Sequence, residues 1–454
     1  MRSIDRARPF PETQLKIPPP GLTGRWAQAA AASALAIATC TIVPGGPAFA
    51  QEPPASTEAE LQTLDLVDAL RRAAGADPGL AGADARARAA EAGVRQADVR
   101  PNPTLGLGVE NLPSIGGGGL IDRTEVRLTY SQEWERGGDR FARTGRARSE
   151  ADLVAAEAHV RRLDRLEQAQ LAYVDVLVAE AELDVARQRL ALAERVHAET
   201  ARRVAAARDP LFAGSRAEAE LVQAEIDVDR AETELRLARV VLAKFWDGRV
   251  DFTVPAEALY DTSASRVQVG EIAEADLMVF DARRNLSVAD AAIQRAAAVP
   301  NATVEVGVLH DWDSGGVGLI VGGSIPLQRY DRNQGAIDRA EALATAATAD
   351  RSTFLLEKDR EVARLQVDIS AGAMEARRLR EDALPLAERA VAEVEAGFAR
   401  GGFSYNDVVA AHRALLDLRL RLVEVLSELH RDVARRDRLT GVHDPLIQQS
   451  EARR

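Results

Sequence analysis

From Arg100 to Glu150 apolar and polar positions alternate. Leu105, Leu107 and Val109 fall on one face against Thr104, Gly106, Gly108 and Glu110. After the glycine run 116–119, Val126, Leu128 and Tyr130 oppose Glu125, Arg127, Thr129 and Ser131. A period of two is the mark of a strand between two environments. The stretch from Val299 to Asp350 repeats the order: Val304, Val306 and Val308, then Val317, Leu319 and Val321, with Pro300 and Asn301 answering Pro101 and Asn102, Ser324 answering Ser131, and Arg329 answering Arg136. Two strand hairpins, at 103–133 and 302–326, are predicted. The pattern suits a half-buried sheet in water and equally the short tilted strands of a membrane barrel.

Around the hairpins the period changes to that of helices. Leu64–Ala74 and Ala81–Val99 read as helices, and Ala273–Ala298 is the second-half counterpart, ending at a proline that forces extended backbone. From Arg146 to Asp209 there is neither Gly nor Pro, and Leu153, Ala156, Val160, Leu163, Leu166, Ala169, Tyr173 and Val176 form a stripe. Such a helix is roughly 100 Å long at about 1.5 Å per residue, more than a compact domain can surround. Pro210–Ser215 breaks it and Arg216–Trp246 returns as its partner. Ala336–Ala399, a turn at Arg400–Phe403 and Ser404–Leu439 repeat the hairpin, with Pro385 bending or splitting the outgoing arm.

The domain reading is therefore a leader at 1–50, a first repeat at 51–245 whose helical hairpin spans 139–245, and a non-helical join at 246–270. The second repeat follows at 271–440 with its helical hairpin at 336–439, then a flexible tail at 441–454. Composition supports thin helices over a large globular core, since 46% of residues are hydrophobic but only 4% aromatic. Residues 25–50 show a basic entry, an apolar run and Ala48-Phe49-Ala50, which reads as a secretory signal cleaved after Ala50. The one cysteine, Cys40, lies inside it, so the mature chain has no thiol chemistry; Thr39 before it disfavours lipidation. Net charge is −12, and the first fifty residues carry five basic and two acidic side chains, which leaves −15 for the remainder. That balance argues against a nucleic-acid partner. Beyond the leader no apolar run approaches the ~20 residues of a spanning helix, so any crossing of a membrane is made by strands.

Candidate chemistry is sparse. His159, His197, His310, His412, His430 and His443 stand singly, without the spacing of a metal site, and read as surface or helix-face residues. The glycines at 116–119 follow a strand with no lysine-bearing helix behind them, so they read as a hairpin loop. Neither catalytic residues nor a cofactor are predicted.

Leader, duplicated unit, paired strand hairpins and paired helical hairpins together resemble the TolC-type outer-membrane efflux proteins over nearly the whole mature chain. VENLPS at 109–114 and SQEWERGGDRFAR at 131–143 resemble the CzcC-like heavy-metal branch. The resemblance implies a mainly α fold with a small β part. In it, three copies pool four strands each into a twelve-stranded barrel in outer-membrane lipid, above a periplasmic tunnel of long helices. It implies a passive exit duct without enzymatic activity, serving an inner-membrane pump through a periplasmic adaptor. The adaptor-binding tips would be Leu211, Phe212, Ala213, Gly214 and Ser215 in the first half, and Gly401, Gly402, Phe403 and Ser404 in the second. Asp407 matches a position of the family's constricting carboxylate ring, but a second acidic position is Ala410 and the aromatic and basic partners fall on Phe398 and Phe403. A periplasmic coiled-coil adaptor or a type I secretion outlet would share much of this pattern.

Overall fold

The computed structural model of the chain describes residues 62–76, 78–110, 124–266, 270–312 and 314–452. The leader, the glycine run 116–119 and residues 111–114 of the VENLPS motif lie outside the described residues. The described elements begin with β1 (Gln62–Thr63), α1 (Leu66–Gly75) and α2 (Pro78–Ala97). The first hairpin is β2 (Thr104–Glu110) and β3 (Glu125–Trp134), followed by α3 (Asp139–Ala205) and α4 (Leu211–Ala243). After β4 (Phe252–Thr253), the second repeat runs through α5 (Glu274–Ala297), β5 (Ala302–Asp311), β6 (Gly316–Ser324), α6 (Gln334–Arg378), α7 (Leu384–Ala399) and α8 (Tyr405–Leu439). A last helix, α9 (Asp444–Ala452), follows.

The strands form one antiparallel sheet in the order β2-β3-β5-β6, so β3 and β5 join the two repeats edge to edge. The duplication seen in the sequence is carried into the register: Thr104 faces Ser131 in the first hairpin and Thr303 faces Ser324 in the second. Across the sheet Leu107, Leu128, Val308 and Leu319 make one row, and Leu105, Tyr130, Val306 and Val321 the next. Side chains directly opposite in a ladder share a face, so one face is predominantly apolar, with His310 and Gln132 as its polar members. The other carries Thr104, Ser131 and Glu305 in one row and Gly106, Thr129, Gly307 and Ile320 in another. Gly307 is required in place: a Cβ there would lie 2.5 Å from the Leu128 carbonyl oxygen.

The core lies along the middle of the long helices. At Ala169–Ala179 nearly every side chain of α3 is buried, and a helix apolar all round must be enclosed all round. Tyr173, Val176 and Leu177 pack with Leu64, Phe252 and Leu259 of the flanking segments and with Leu422 and Leu426 of α8. The belt is tied by a two-residue parallel ladder of β1 on β4, a pairing across about 190 residues that no local pattern signals. On the far side Ile272, Val362, Leu365, Ile369, Leu429 and Val433 form a second cluster.

Two expectations are corrected. The stretch beyond Gly441, expected as a flexible tail, folds into α9, where Ile447 is 2% exposed among Leu70, Leu163 and Leu166. Gly441, at φ +66°, turns the chain back, with the Val442 N–H bonded to the Asp437 carbonyl. The first tip is also displaced: Leu211–Ser215 is the opening turn of α4 and not the break, which falls at 206–210. Pro210 sits at the helix start, where its missing N–H costs nothing. In the second half the expected interruption is a wide π-turn at Leu379–Ala383 just before Pro385, which lacks the N–H to continue a regular ladder.

Candidate functional site at the helix tips

The two helical hairpins end in turns of the same geometry built from different residues. In the second, the Gly402 N–H donates to the Gly397 carbonyl and the Gly401 N–H to the Phe398 carbonyl, both at 2.9 Å, with Gly401 at φ +78°. This is a Schellman closure, which satisfies carbonyls the helix end would leave free. In the first, the Arg208 N–H donates to the Arg203 carbonyl and the Ala207 N–H to the Val204 carbonyl, again at 2.9 Å, but the left-handed position is Ala207 at φ +53°. Arg203 clamps that turn through Asp209, with Nε and Nη2 donating to the carboxylate at 2.7 and 3.0 Å. The guanidinium holds the Asp209 carboxyl below the usual carboxylate range.

The tips expose apolar side chains. Leu211 is 82% exposed and Phe212 71%. Phe403 lies over Gly397, where an added Cβ would come within 2.1 Å of its ring, and still shows half its surface. Ala213 and Gly214 are half-buried, while Ser215, Gly401, Gly402 and Ser404 are exposed. The tips share one groove of about 780 Å³, lined by Pro210, Phe212 and Arg216 from one side and by Ser404, Tyr405 and Arg413 from the other. Glu220 bridges the halves, accepting from Arg413 at 2.7 Å and from Arg216 at 3.2 Å. Sequence reading does not find this bridge, because Glu220 and Arg413 are 193 residues apart.

Asp407 is not among the residues lining that groove. It closes a capping box: its Oδ2 accepts from the Ser404 N–H at 2.8 Å and the Ser404 hydroxyl at 2.7 Å, while its own N–H donates to Ser404 Oγ. The Ser404 hydroxyl and then its backbone N–H hold the Asp407 carboxyl below the usual range. Ala410 lines the groove and Phe398 packs against Tyr405 with centroids 5.6 Å apart.

Midway up the molecule a second polar cluster ties the halves. The Arg438 guanidinium donates to both oxygens of Asp276 at 2.8 and 3.0 Å and to Asp164 at 2.6 Å. Burial alone would lower its pKa, but the two carboxylates raise it above the ordinary arginine value. Four of the six histidines are wired into hydrogen bonds: His159 bonds Asp444, His412 bonds Glu395, His430 bonds the Leu259 carbonyl and His443 bonds Gln170. No group of three metal-ligating side chains occurs among the described residues, and no helix of them is long and apolar enough to cross a membrane.

Residues 271–442 match the family model described as outer membrane efflux protein. The chain is 28% identical to the cobalt-zinc-cadmium resistance protein CzcC of Cupriavidus metallidurans over 387 residues, which is 83% of this chain and 90% of that protein. The family match covers the second repeat, and the similarity to CzcC extends over most of the chain. Among solved structures it is similar to the outer membrane protein VceC of Vibrio cholerae, with a TM-score of 0.62, 21% identity and coverage of 83% of this chain and 96% of that one. It is also similar to CusC, with a TM-score of 0.66, 16% identity and coverage of 86% and 95%. At these identities the likeness is one of fold.

Proposed function

We propose that this chain is the outer-membrane exit duct of a tripartite efflux pump and that its cargo is divalent heavy-metal cations. The observation that carries the reading is the four-stranded sheet. Its apolar face is open, with Leu105, Leu107, Val317, Leu319 and Val321 all more than 70% exposed. Its outer strands β2 and β6 each pair on one side only. A sheet of this kind is aggregation-prone in water and forbidden in lipid until its edges close. Three copies close it into a barrel of twelve strands, apolar outward and lined by Thr, Ser, Gly and Glu. The long helices then extend the bore into the periplasm.

The duct itself does no chemistry. Its contribution is a water-filled path and a negative potential from a chain that carries −15 once the leader is removed, which raises the local concentration of cations. Similarity to a cobalt-zinc-cadmium resistance protein supports metal cargo. The exposed Leu211, Phe212 and Phe403 at the tips suit docking of an adaptor that links the duct to an inner-membrane pump, since exposed apolar clusters mark interaction sites. Asp407, exposed beside the second tip, is the candidate for a constricting ring of three carboxylates.

Deleting the gene should sensitise cells to zinc, cobalt and cadmium, and the wild-type chain should restore resistance. A tip variant combining Leu211→Ser, Phe212→Ser and Phe403→Ser should assemble in the outer membrane yet fail to restore it. Full resistance in that variant would remove the tips from the adaptor interface; unchanged metal tolerance in the deletion strain would remove the metals from the cargo.

A further inference from the structure

At the end of the sheet nearest the helices lies a groove of about 770 Å³ that the duct reading does not use. Its lining includes Arg100, Pro101, Trp134, Asp139, Arg140 and Val304. Trp134 and Val304 share the apolar face of the sheet, by the pairings Trp134 with Ala302 and Gln132 with Val304, and are 67% and 44% exposed. The groove is thus continuous with the surface read above as facing lipid, and it sits at the periplasmic margin of that surface. Gln132 fixes one wall by donating to the Pro101 carbonyl at 2.9 Å.

Its charges are mixed. Two guanidiniums, Arg100 and Arg140, and three carboxylates, Glu133, Glu135 and Asp139, line it. Glu135 is engaged by Arg143, and Glu133 accepts from the Asn301 side chain at 3.0 Å. Arg140 is shared with Asp98 at 3.4 Å, an exposed and therefore weak pair. Asp139 Oδ2 is shielded from water and has no hydrogen-bond partner among the described residues, a deficit that a donor from a ligand offsets. An amphipathic ring at the water boundary, a cation and a carboxylate short of one donor are the complement of a headgroup bearing both a phosphate and a primary ammonium.

We propose that this groove binds an aminophospholipid of the inner leaflet of the outer membrane. Arg100 and Arg140 face its phosphate, Asp139 takes its ammonium, and Trp134 with Val304 seats the first methylenes of its acyl chains. The site rests on the barrel reading, since without a bilayer at this face no lipid reaches it. A net-negative lining disfavours acidic lipids, and a quaternary ammonium has no N–H to give Asp139.

The test is native mass spectrometry of the detergent-purified full chain titrated with phosphatidylethanolamine, phosphatidylcholine and phosphatidylglycerol. Phosphatidylethanolamine should bind about tenfold more tightly than either competitor, the factor expected for one charge-assisted hydrogen bond. Arg100→Gln and Trp134→Ala should each lose most of that preference, while Leu319→Ala, on the same face but away from the groove, should keep it. Equal binding of the three lipids, or wild-type retention in both groove variants, overturns the site while leaving the duct standing. Recovery of the wild-type chain in the soluble periplasmic fraction, with no extraction from membranes, overturns the site and the barrel reading together.

Discussion

Ala207 is the residue at which the two halves differ most tellingly. It occupies the left-handed position that Gly401 fills in the other tip, and an alanine there carries about 1 kcal/mol of strain relative to glycine. Ala207→Gly should therefore slow amide exchange at Arg208 and raise resistance to cleavage at the first tip; faster exchange would mean that the Arg203–Asp209 clamp depends on the stiffer residue. His430 and His443 carry a pH prediction. Burial lowers both from the ordinary value of 6.5, so the fold holds them neutral while the unfolded chain protonates them. Between the lowered value and 6.5 the unfolded chain binds more protons, so stability is full above about 6.5 and falls as pH drops through that range. His430→Gln should flatten the melting temperature between pH 7.5 and 5.5, and an unchanged slope would move the effect to other groups. At Asp407 the sign is set by a depressed carboxyl: the cap is present above the ordinary carboxylate range and is lost as pH falls through the lowered value.

Among the elements, the strands are legible because period two is local, and α3 because nothing between Arg146 and Asp209 interrupts it. It starts at Asp139, ahead of that uninterrupted run, since Gly145 meets nothing and is carried in the helix. The first tip misleads for a definite reason. Pro210, Gly214 and Ser215 carry turn propensity, yet the turn closes on Ala207, where no propensity points. The last helix is missed because Leu446 and Ile447 give too short an apolar pattern; α9 is held by the surface of α1 and α3 and by Ser450 donating to the Ala74 carbonyl. The clamp from α8 to α5 and α3 is likewise invisible, because Arg438 and Asp276 are 162 residues apart. Arg438→Met should cost about 3 kcal/mol by leaving buried Asp276 without its cation. The matched Arg438→Met, Asp276→Leu pair should recover part of that loss in denaturant melts; a pair no better than the single change would assign the cost to packing.

For the whole molecule, the decisive contrast is between the two faces of the sheet. Leu319→Lys places a charge on the face read as lipid-facing and should cost about 2 to 4 kcal/mol if it lies near the bilayer middle, enough to reduce assembled duct in outer-membrane fractions. Thr129→Lys, on the opposite face, should assemble normally and lower cation passage. Equal tolerance of both would contradict the barrel. What depends on neighbours along the chain could be read from residue order alone: two alternating strand pairs, two long helical hairpins, their duplication, and no apolar run beyond the leader long enough to span a membrane as a helix. These follow from periods of two and 3.6 residues and from where Gly and Pro fall. Which distant segments meet follows from the folded chain and not from local order. Folding set β3 beside β5, the belt of β1 on β4 around a largely buried stretch of α3, Glu220 bridging two tips, and Trp134 above the Arg100 groove. Those contacts join residues tens to hundreds of positions apart, and their stability comes from burial and paired charge that no single segment holds alone.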